Sequence, residues 1–204
     1  MVENKSYEIK DKMKSIIISD SSSLIDFCNI TNGLELLKKC FNPVFVPQGV
    51  YDEIIYKEQK EKIDKNNDFI KVLKDYNDIE KNAIKELIDN GLHKGESEAI
   101  ALAENRFKAE QVEILLQDTD ARDVCDLKNI DYTGSLGVVI YAHKEKYISE
   151  KFANTKIDEI AKTNPYINRN TKLIKVAKKQ IAEQQEYFNL KKIAKSEKDK
   201  GVER

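Results

Sequence analysis

The chain has 204 residues, of which 40% are hydrophobic and 35% charged, with no tryptophan, three prolines and a net charge of −1. That composition suits a soluble, helix-rich protein of one domain, long enough to bury a real core. It excludes a helical membrane protein, because no apolar run approaches the length of a span, and the Lys/Glu-rich start does not read as a secretory signal.

Three cysteines, Cys28, Cys40 and Cys125, are odd in number, widely spaced and set in apolar helical patterns. They read as small core residues of a reducing, cytoplasmic compartment, with neither disulfide nor zinc spacing. The charge is uneven. Residues 151–204 hold 14 Lys/Arg against 7 Asp/Glu, a net of +7, so residues 1–150 carry −8. An acidic body suits a cation site, and a basic tail suits either a polyanion contact or a solvated lysine-rich helix.

Residues 1–14 are a polar N-terminal extension. Ser15–Ser19, with three consecutive isoleucines, predicts a short, fully buried strand. It ends on Asp20, and a helix is expected near 23–31, broken at Thr31-Asn32-Gly33. A second helical piece covers Leu34–Phe41. Val44-Phe45-Val46 predicts a strand, and Pro47-Gln48 opens a helix carrying Val50, Ile54 and Ile55. The charged run 57–68 reads as a helix extension with a mobile loop. Residues 69–90 read as one amphipathic segment stopped at Asn90-Gly91. Gly95–Phe107 is the most apolar helix. Val112–Leu116 is the second clear buried strand, followed by a short helix over Ala121–Leu127, a brief strand at Ile130–Tyr132 and a helix from Thr133-Gly134 to about Tyr147. From 155 onward the pattern is helical, with a break at Asn164-Pro165. Strands alternating with helices predict βαβ units and a parallel sheet.

The acids give the chemistry. A buried parallel strand delivers Asp20 at its C-terminal end, where open α/β sheets place their sites; the alternative is that Asp20 only caps the next helix. Glu96 shares a helix face with Ala99, Ile100, Ala103 and Phe107, while Glu98 lies on roughly the opposite side. A carboxylate within an apolar stripe is costly unless paired or bound to a metal; the alternative is that Glu96 simply favours the helix N-terminus. Asp118 and Asp120 end a buried strand as Asp20 does, and parallel neighbours end on one edge. The alternative, turn acids capping the next helix, fits one of the two better than both. Glu53 is weaker, because periodicity does not separate it from Asp52. Four or five oxygen ligands suit Mg²⁺ or Mn²⁺ rather than zinc. Held together without metal, such carboxylates repel and their pKa values rise.

Five motifs occur in order: Ile16-Ile-Ile-Ser-Asp20-Ser-Ser-Ser-Leu24, Val46-Pro-Gln-Gly-Val-Tyr-Asp-Glu53-Ile54, Gly95-Glu96-Ser-Glu-Ala-Ile-Ala-Leu-Ala103, Leu115-Leu-Gln-Asp118-Thr-Asp120-Ala-Arg122 and Thr133-Gly-Ser-Leu-Gly137. Together they resemble the PIN-domain ribonucleases, in particular the VapC-like toxin branch with its Gly-Glu-x-Glu-Ala motif. The resemblance covers about residues 14–182. It implies a three-layer α/β/α fold with a four- to five-stranded parallel sheet, here with a catalytic domain over 15–150 and a basic helical C-terminal region over 151–204. It also implies a Mg²⁺ or Mn²⁺ site that cuts RNA to a 5′-phosphate and a 3′-hydroxyl. Carried over by motif, the ligands are Asp20, Glu53, Glu96 and one or both of Asp118 and Asp120, with Ser22 orienting Asp20. Where many relatives have Thr-x-Asp, this chain has Asp118-Thr119-Asp120, which leaves the division of roles between the two aspartates open.

Other features carry less. His93 precedes the acidic helix and reads as a surface residue or a substrate contact. Gly134–Gly137 lacks the Walker lysine and reads as a tight turn into a packed helix. Arg122 reads as a brace or a phosphate contact. The aromatic residues form no base-stacking array. The sequence therefore points to a metal-dependent endoribonuclease of the toxin type, with RNA as substrate and an antitoxin, another inhibitory protein or a second copy as candidate partner. The alternatives are a non-catalytic RNA- or partner-binding module, a structure-specific DNA nuclease and a receiver-type phosphoacceptor. The last needs a lysine at a later strand end that the sequence does not supply.

Overall fold

The computed structural model describes residues 14–18, 20–110 and 112–201, with side chains from 15 to 190 among them. All of the 1–14 extension except Lys14, and also Ser19, lie outside the described residues. So do the side chains of Lys191 and Lys192.

Five strands form one sheet: β1 (Lys14–Ile18), β2 (Phe41–Pro47), β3 (Ile70–Leu73), β4 (Glu113–Leu115) and β5 (Tyr132–Thr133). Every pairing is parallel, in the order β3-β2-β1-β4-β5. Eleven helices surround it among the described residues: α1 (Ser21–Asn29), α2 (Gly33–Cys40), α3 (Gln48–Glu53), α4 (Lys57–Lys65), α5 (Asp78–Asp89), α6 (Lys94–Asn105), α7 (Thr119–Lys128), α8 (Ser135–Lys144), α9 (Glu150–Thr163), α10 (Pro165–Arg169) and α11 (Thr171–Gly201). None is long and apolar enough to cross a membrane.

The strand residues alternate between two cores, which explains the three layers. Ile16 and Ile18 of β1, with Val44 and Val46 of β2, face one cluster that takes in residues of α1, α2, α8 and α9. Ile17 and Phe45 face the other, built with α6 and α7. Successive side chains of a strand point to opposite faces, and a central parallel strand covered on both sides is apolar at every position. All three isoleucines are accordingly fully buried.

The sheet starts at its centre. The chain runs outward through β2 and β3, then returns to pair β4 on the other side of β1. The order reverses between β1 and β4. The helix after β1 joins one core and the helix after β4 joins the other, which makes this the switch point at whose C-terminal end open α/β sheets place their sites. Ile18 pairs with Leu115, so the residues that follow the two strands emerge side by side.

Three expectations differ from the structure. The run 57–68 is an independent helix, α4, held by buried Ile63 and Gln59. The segment 69–90 divides into the edge strand β3 and the helix α5. Its run Phe69-Ile-Lys-Val-Leu73 is short, and periodicity does not distinguish a strand from a helix end over such a length. The helix after Pro47 stops at Glu53, before Ile54 and Ile55.

The basic region does not stand apart from this core. Ile157 and Ile160 of α9, Ile167 of α10, and Ala177 and Ile181 of α11 pack in the same cluster as Ile16 and Ile18, with Ile174 against it. Phe188 lies edge-on to His143 at 5.8 Å. The three cysteines are buried and unpaired. Burial pushes the Cys28 thiol up to about 11 and those of Cys40 and Cys125 up to about 12, so all three stay protonated at neutral pH.

One ion pair fastens α5 to α6. Glu80 is fully buried, and its two oxygens accept from Arg106 Nε at 2.8 Å and Nη2 at 2.6 Å. Arg106 also donates to the Asp75 carbonyl at 2.6 Å, and Glu80 accepts from Asn77 N to close a capping box. Removing one partner of a buried pair strands the other charge. Arg106→Ala should therefore cost about 3 kcal/mol in chemical denaturation, and adding Glu80→Gln should restore part of it. A loss below about 1 kcal/mol, the range of exposed pairs, would show that the clamp does not hold the two helices.

Candidate active site

Three helices begin at the C-terminal edge of the sheet, and each has an acid at its cap or in its first turn. Asp20 is the N-cap of α1: Oδ1 accepts from Ser23 N at 2.7 Å and Oδ2 from Ser23 Oγ at 2.7 Å. The Ser22 hydroxyl donates to Oδ1 as well. Asp118 is the N-cap of α7 and accepts from Ala121 N at 3.0 Å. Glu96, three positions into α6, reaches back to accept from His93 N at 3.0 Å. The first amides of a helix lack intrahelical acceptors, so a carboxylate there is held by hydrogen bonds and by the helix dipole.

The charges of Asp118 and Asp20 both reach Glu96. Glu96 is 5% exposed. Its pKa is raised, first by burial and then by the charges of Asp118 and Asp20, against the lowering effect of the His93 amide. The like charges converge on α6 from two strand ends, although Asp118 itself is exposed. The caps use one oxygen of Glu96 and one of Asp118, which leaves the second oxygen of each for a ligand.

Three further predicted residues are exposed. Asp120, two residues past the cap, is exposed and lines a groove between α5, α6 and α7 with Glu86, Glu104, Asp123 and Lys128. Glu53 is exposed at the C-terminal end of α3. His93 is exposed beside Glu96. Arg122 donates from Nη2 to the Leu116 carbonyl at 2.8 Å and lies 5.5 Å from the Tyr132 ring, so it braces the turn that carries Asp118. The all-carboxylate donor set is that of a hard divalent cation. Among the described residues, however, no group of three or more His, Cys, Asp or Glu side chains is gathered closely enough to hold an ion as they stand. Each carboxylate is turned toward its own helix.

Beneath the edge lies a polar network that the sequence reading did not find. Asp26 of α1 is 3% exposed. It accepts from Asn164 Nδ2 at 3.0 and 3.2 Å, from Ser135 Oγ at 2.9 Å and from Gln117 Nε2 at 3.4 Å. Gln117 precedes Asp118, Ser135 opens α8, and Asn164 caps α10. Three donors satisfy the carboxylate, yet burial dominates and raises its pKa to about 6, with a further push from Asp20. Helical spacing sets Asp26 away from the face shared by Leu24, Phe27 and Cys28, so nothing in the apolar pattern marks it.

A family model for the PIN domain matches residues 16–183, from β1 into α11. No curated protein matches the chain.

The Asp26 shift gives a pH dependence. A carboxyl whose folded pKa lies above its unfolded one binds more protons in the native state, so its contribution falls as pH rises between the two values. From 3.8 to about 6, the loss is on the order of 3 kcal/mol by pH 7, as an upper figure. Asp26→Asn removes the titration and keeps an acceptor oxygen. Its stability relative to the parent, from urea denaturation, should rise between pH 4 and pH 7 by an amount of that order. A difference that stays flat across this window would mean that Asp26 is not the group responsible.

Proposed function

The chain belongs to the PIN-domain family, and from that premise we propose that it is a Mg²⁺- or Mn²⁺-dependent endoribonuclease of the VapC-like toxin branch. PIN domains are generally nucleases. The observation that carries the reading is the placement of Asp20, Glu96 and Asp118 at the starts of three helices by the switch point of the sheet, where the charges of both aspartates reach Glu96. Three like charges are costly to hold at one edge unless a cation neutralises them in the working state.

In this reading Asp20, Glu96 and Asp118 hold the metal, with Glu53 joining from α3 and Asp120 as a second-line ligand. A divalent ion supplies an activated water and stabilises the attacking and leaving oxygens of a phosphodiester. The chain's own groups do the rest. Ser22 and Ser23 fix the Asp20 carboxylate, and Arg122 fixes the Asp118 turn. The Asp26 network fixes Gln117 and Ser135 behind the edge. The preference for RNA, the 5′-phosphate product and an inhibitory partner follow from the toxin-like motifs.

Within the proposal, residues 15–150 carry the chemistry and 151–204 assist RNA binding. Lys172 and Lys175 are exposed on α11, whereas Lys178 and Lys179 are paired with Asp158 and Glu183. Phosphate contacts release counterions, so their contribution weakens with salt. Lys172→Glu with Lys175→Glu should weaken RNA binding at low salt, leave it nearly unchanged at high salt, and flatten the salt slope. An unchanged slope would remove α11 from the RNA surface.

The central test is incubation with total RNA in Mg²⁺ or Mn²⁺, with and without a chelator. Cleavage should require the ion. Asp20→Asn should lower kcat/KM at least ~100-fold, or about 2.7 kcal/mol, while the metal-free protein stays folded or gains stability as the repulsion is relieved. Cleavage that survives both chelation and Asp20→Asn would end this reading. RNA binding without cleavage in either metal would favour the non-catalytic module.

A further inference from the structure

Glu98 stands two residues from Glu96 on α6, yet it does different work. Its side of the helix is covered, leaving Glu98 3% exposed. Its Oε2 accepts from Gly49 N of α3 at 2.7 Å. Among the described residues its one paired cation is Lys94, at 3.8 Å, and the Lys94 side chain is mostly in solvent.

The need for this contact lies in α3. That helix starts after Pro47, which offers no side-chain cap, so its first amides must find acceptors elsewhere. Gly49 N finds Glu98. Gln48 N finds the Tyr76 hydroxyl at 3.2 Å, and that hydroxyl donates to the Leu73 carbonyl at 3.3 Å. Position 49 is fitted to the carboxylate. A Cβ there would lie 2.8 Å from Glu98 Oε2 and 3.1 Å from its Cδ and Oε1, closer than van der Waals contact allows. Glycine and glutamate are therefore one device: the missing side chain lets the carboxylate reach the backbone.

Resting on the nuclease reading above, we propose that Glu98 is a positioning residue that locks α3 to α6 and so sets Glu53 in place relative to Glu96. The Gly-Glu-x-Glu stretch then has a divided role. Glu96 faces the acids at the strand ends, and Glu98 fixes the helix that delivers the remaining one. A leucine at 98 would fill the space but leave the Gly49 amide without an acceptor. A glutamine would keep an acceptor oxygen.

The test compares Glu98→Ala, Glu98→Gln and Gly49→Ala in the full chain with three readouts: exchange of the Gly49 amide by NMR, Mn²⁺ affinity by calorimetry, and RNA cleavage at saturating Mn²⁺. Glu98→Ala should speed Gly49 exchange, weaken Mn²⁺ roughly tenfold and lower kcat by a similar factor with KM unchanged, the usual scale for a residue that orients a metal site. Glu98→Gln should stay within about threefold of the parent, and Gly49→Ala should behave as Glu98→Ala does, because it expels the carboxylate. A Glu98→Ala protein that loses thermal stability but keeps Mn²⁺ affinity and kcat overturns the proposal. If Glu98→Ala does not fold, Gly49→Ala decides on the same readouts. A parent protein that neither binds Mn²⁺ nor cuts RNA refutes the nuclease reading itself. Gly49 exchange then judges the clamp alone: unchanged exchange in the variants overturns it, and accelerated exchange supports it.

Discussion

The constraint on which this molecule turns is that carboxylates at one sheet edge repel, and each must be held by something positive. In the absence of a cation, the helix N-termini supply it. Asp20, Glu96 and Asp118 each accept backbone amides at the start of α1, α6 and α7, where the helix dipole and the unpaired amides favour negative charge. The same placement that stabilises the acids also sets them at one edge, where the helices after β1 and β4 leave the sheet on opposite sides. Capping and a place at one edge are thus one arrangement. The caps occupy one oxygen of Glu96 and one of Asp118, whereas both oxygens of Asp20 accept hydrogen bonds.

The central sheet was legible because its signal is local. Three consecutive isoleucines followed by Asp20 specify a strand buried on both faces and its C-terminal end. Val112–Leu116 does the same for β4. The edge strand β3 was not legible. Its five-residue run is interrupted by Lys71, and it acquires its meaning only from pairing with β2. The split between Asp118 and Asp120 was half legible. Spacing puts both at the strand end, but a cap residue folds back over the helix start while a residue two further on projects outward, and here Asp120 projects into the groove beside α5.

Glu98 and Asp26 show what a one-dimensional pattern omits. Helical periodicity sets Glu98 opposite Glu96 but cannot say what covers that side; the answer is α3, 49 residues earlier in the chain. Asp26 reads as an ordinary polar residue on the side of α1 away from Leu24, Phe27 and Cys28. Its partners Ser135 and Asn164 lie 109 and 138 residues away. A buried carboxylate with three donors is far less costly than an unpaired one, but only the tertiary structure brings the donors together.

That network also argues that the C-terminal helices belong to the working unit. Asn164 uses Nδ2 on Asp26 and Oδ1 on the amides of Tyr166 and Ile167, so the break between α9 and α10 is fixed by the residue that reaches beneath the acidic edge. Asp26 in turn holds Ser135 and, more weakly, Gln117, the neighbour of Asp118. A shift of α10 would strain the Asn164 contact. The buried charge would then lose one of its donors, at a cost larger than the loss of an exposed hydrogen bond. The family match extends to residue 183, past this junction and through the buried part of α11. The basic region is therefore joined to the edge by packing and by a short chain of hydrogen bonds from Asn164 through Asp26 to Gln117, the neighbour of Asp118.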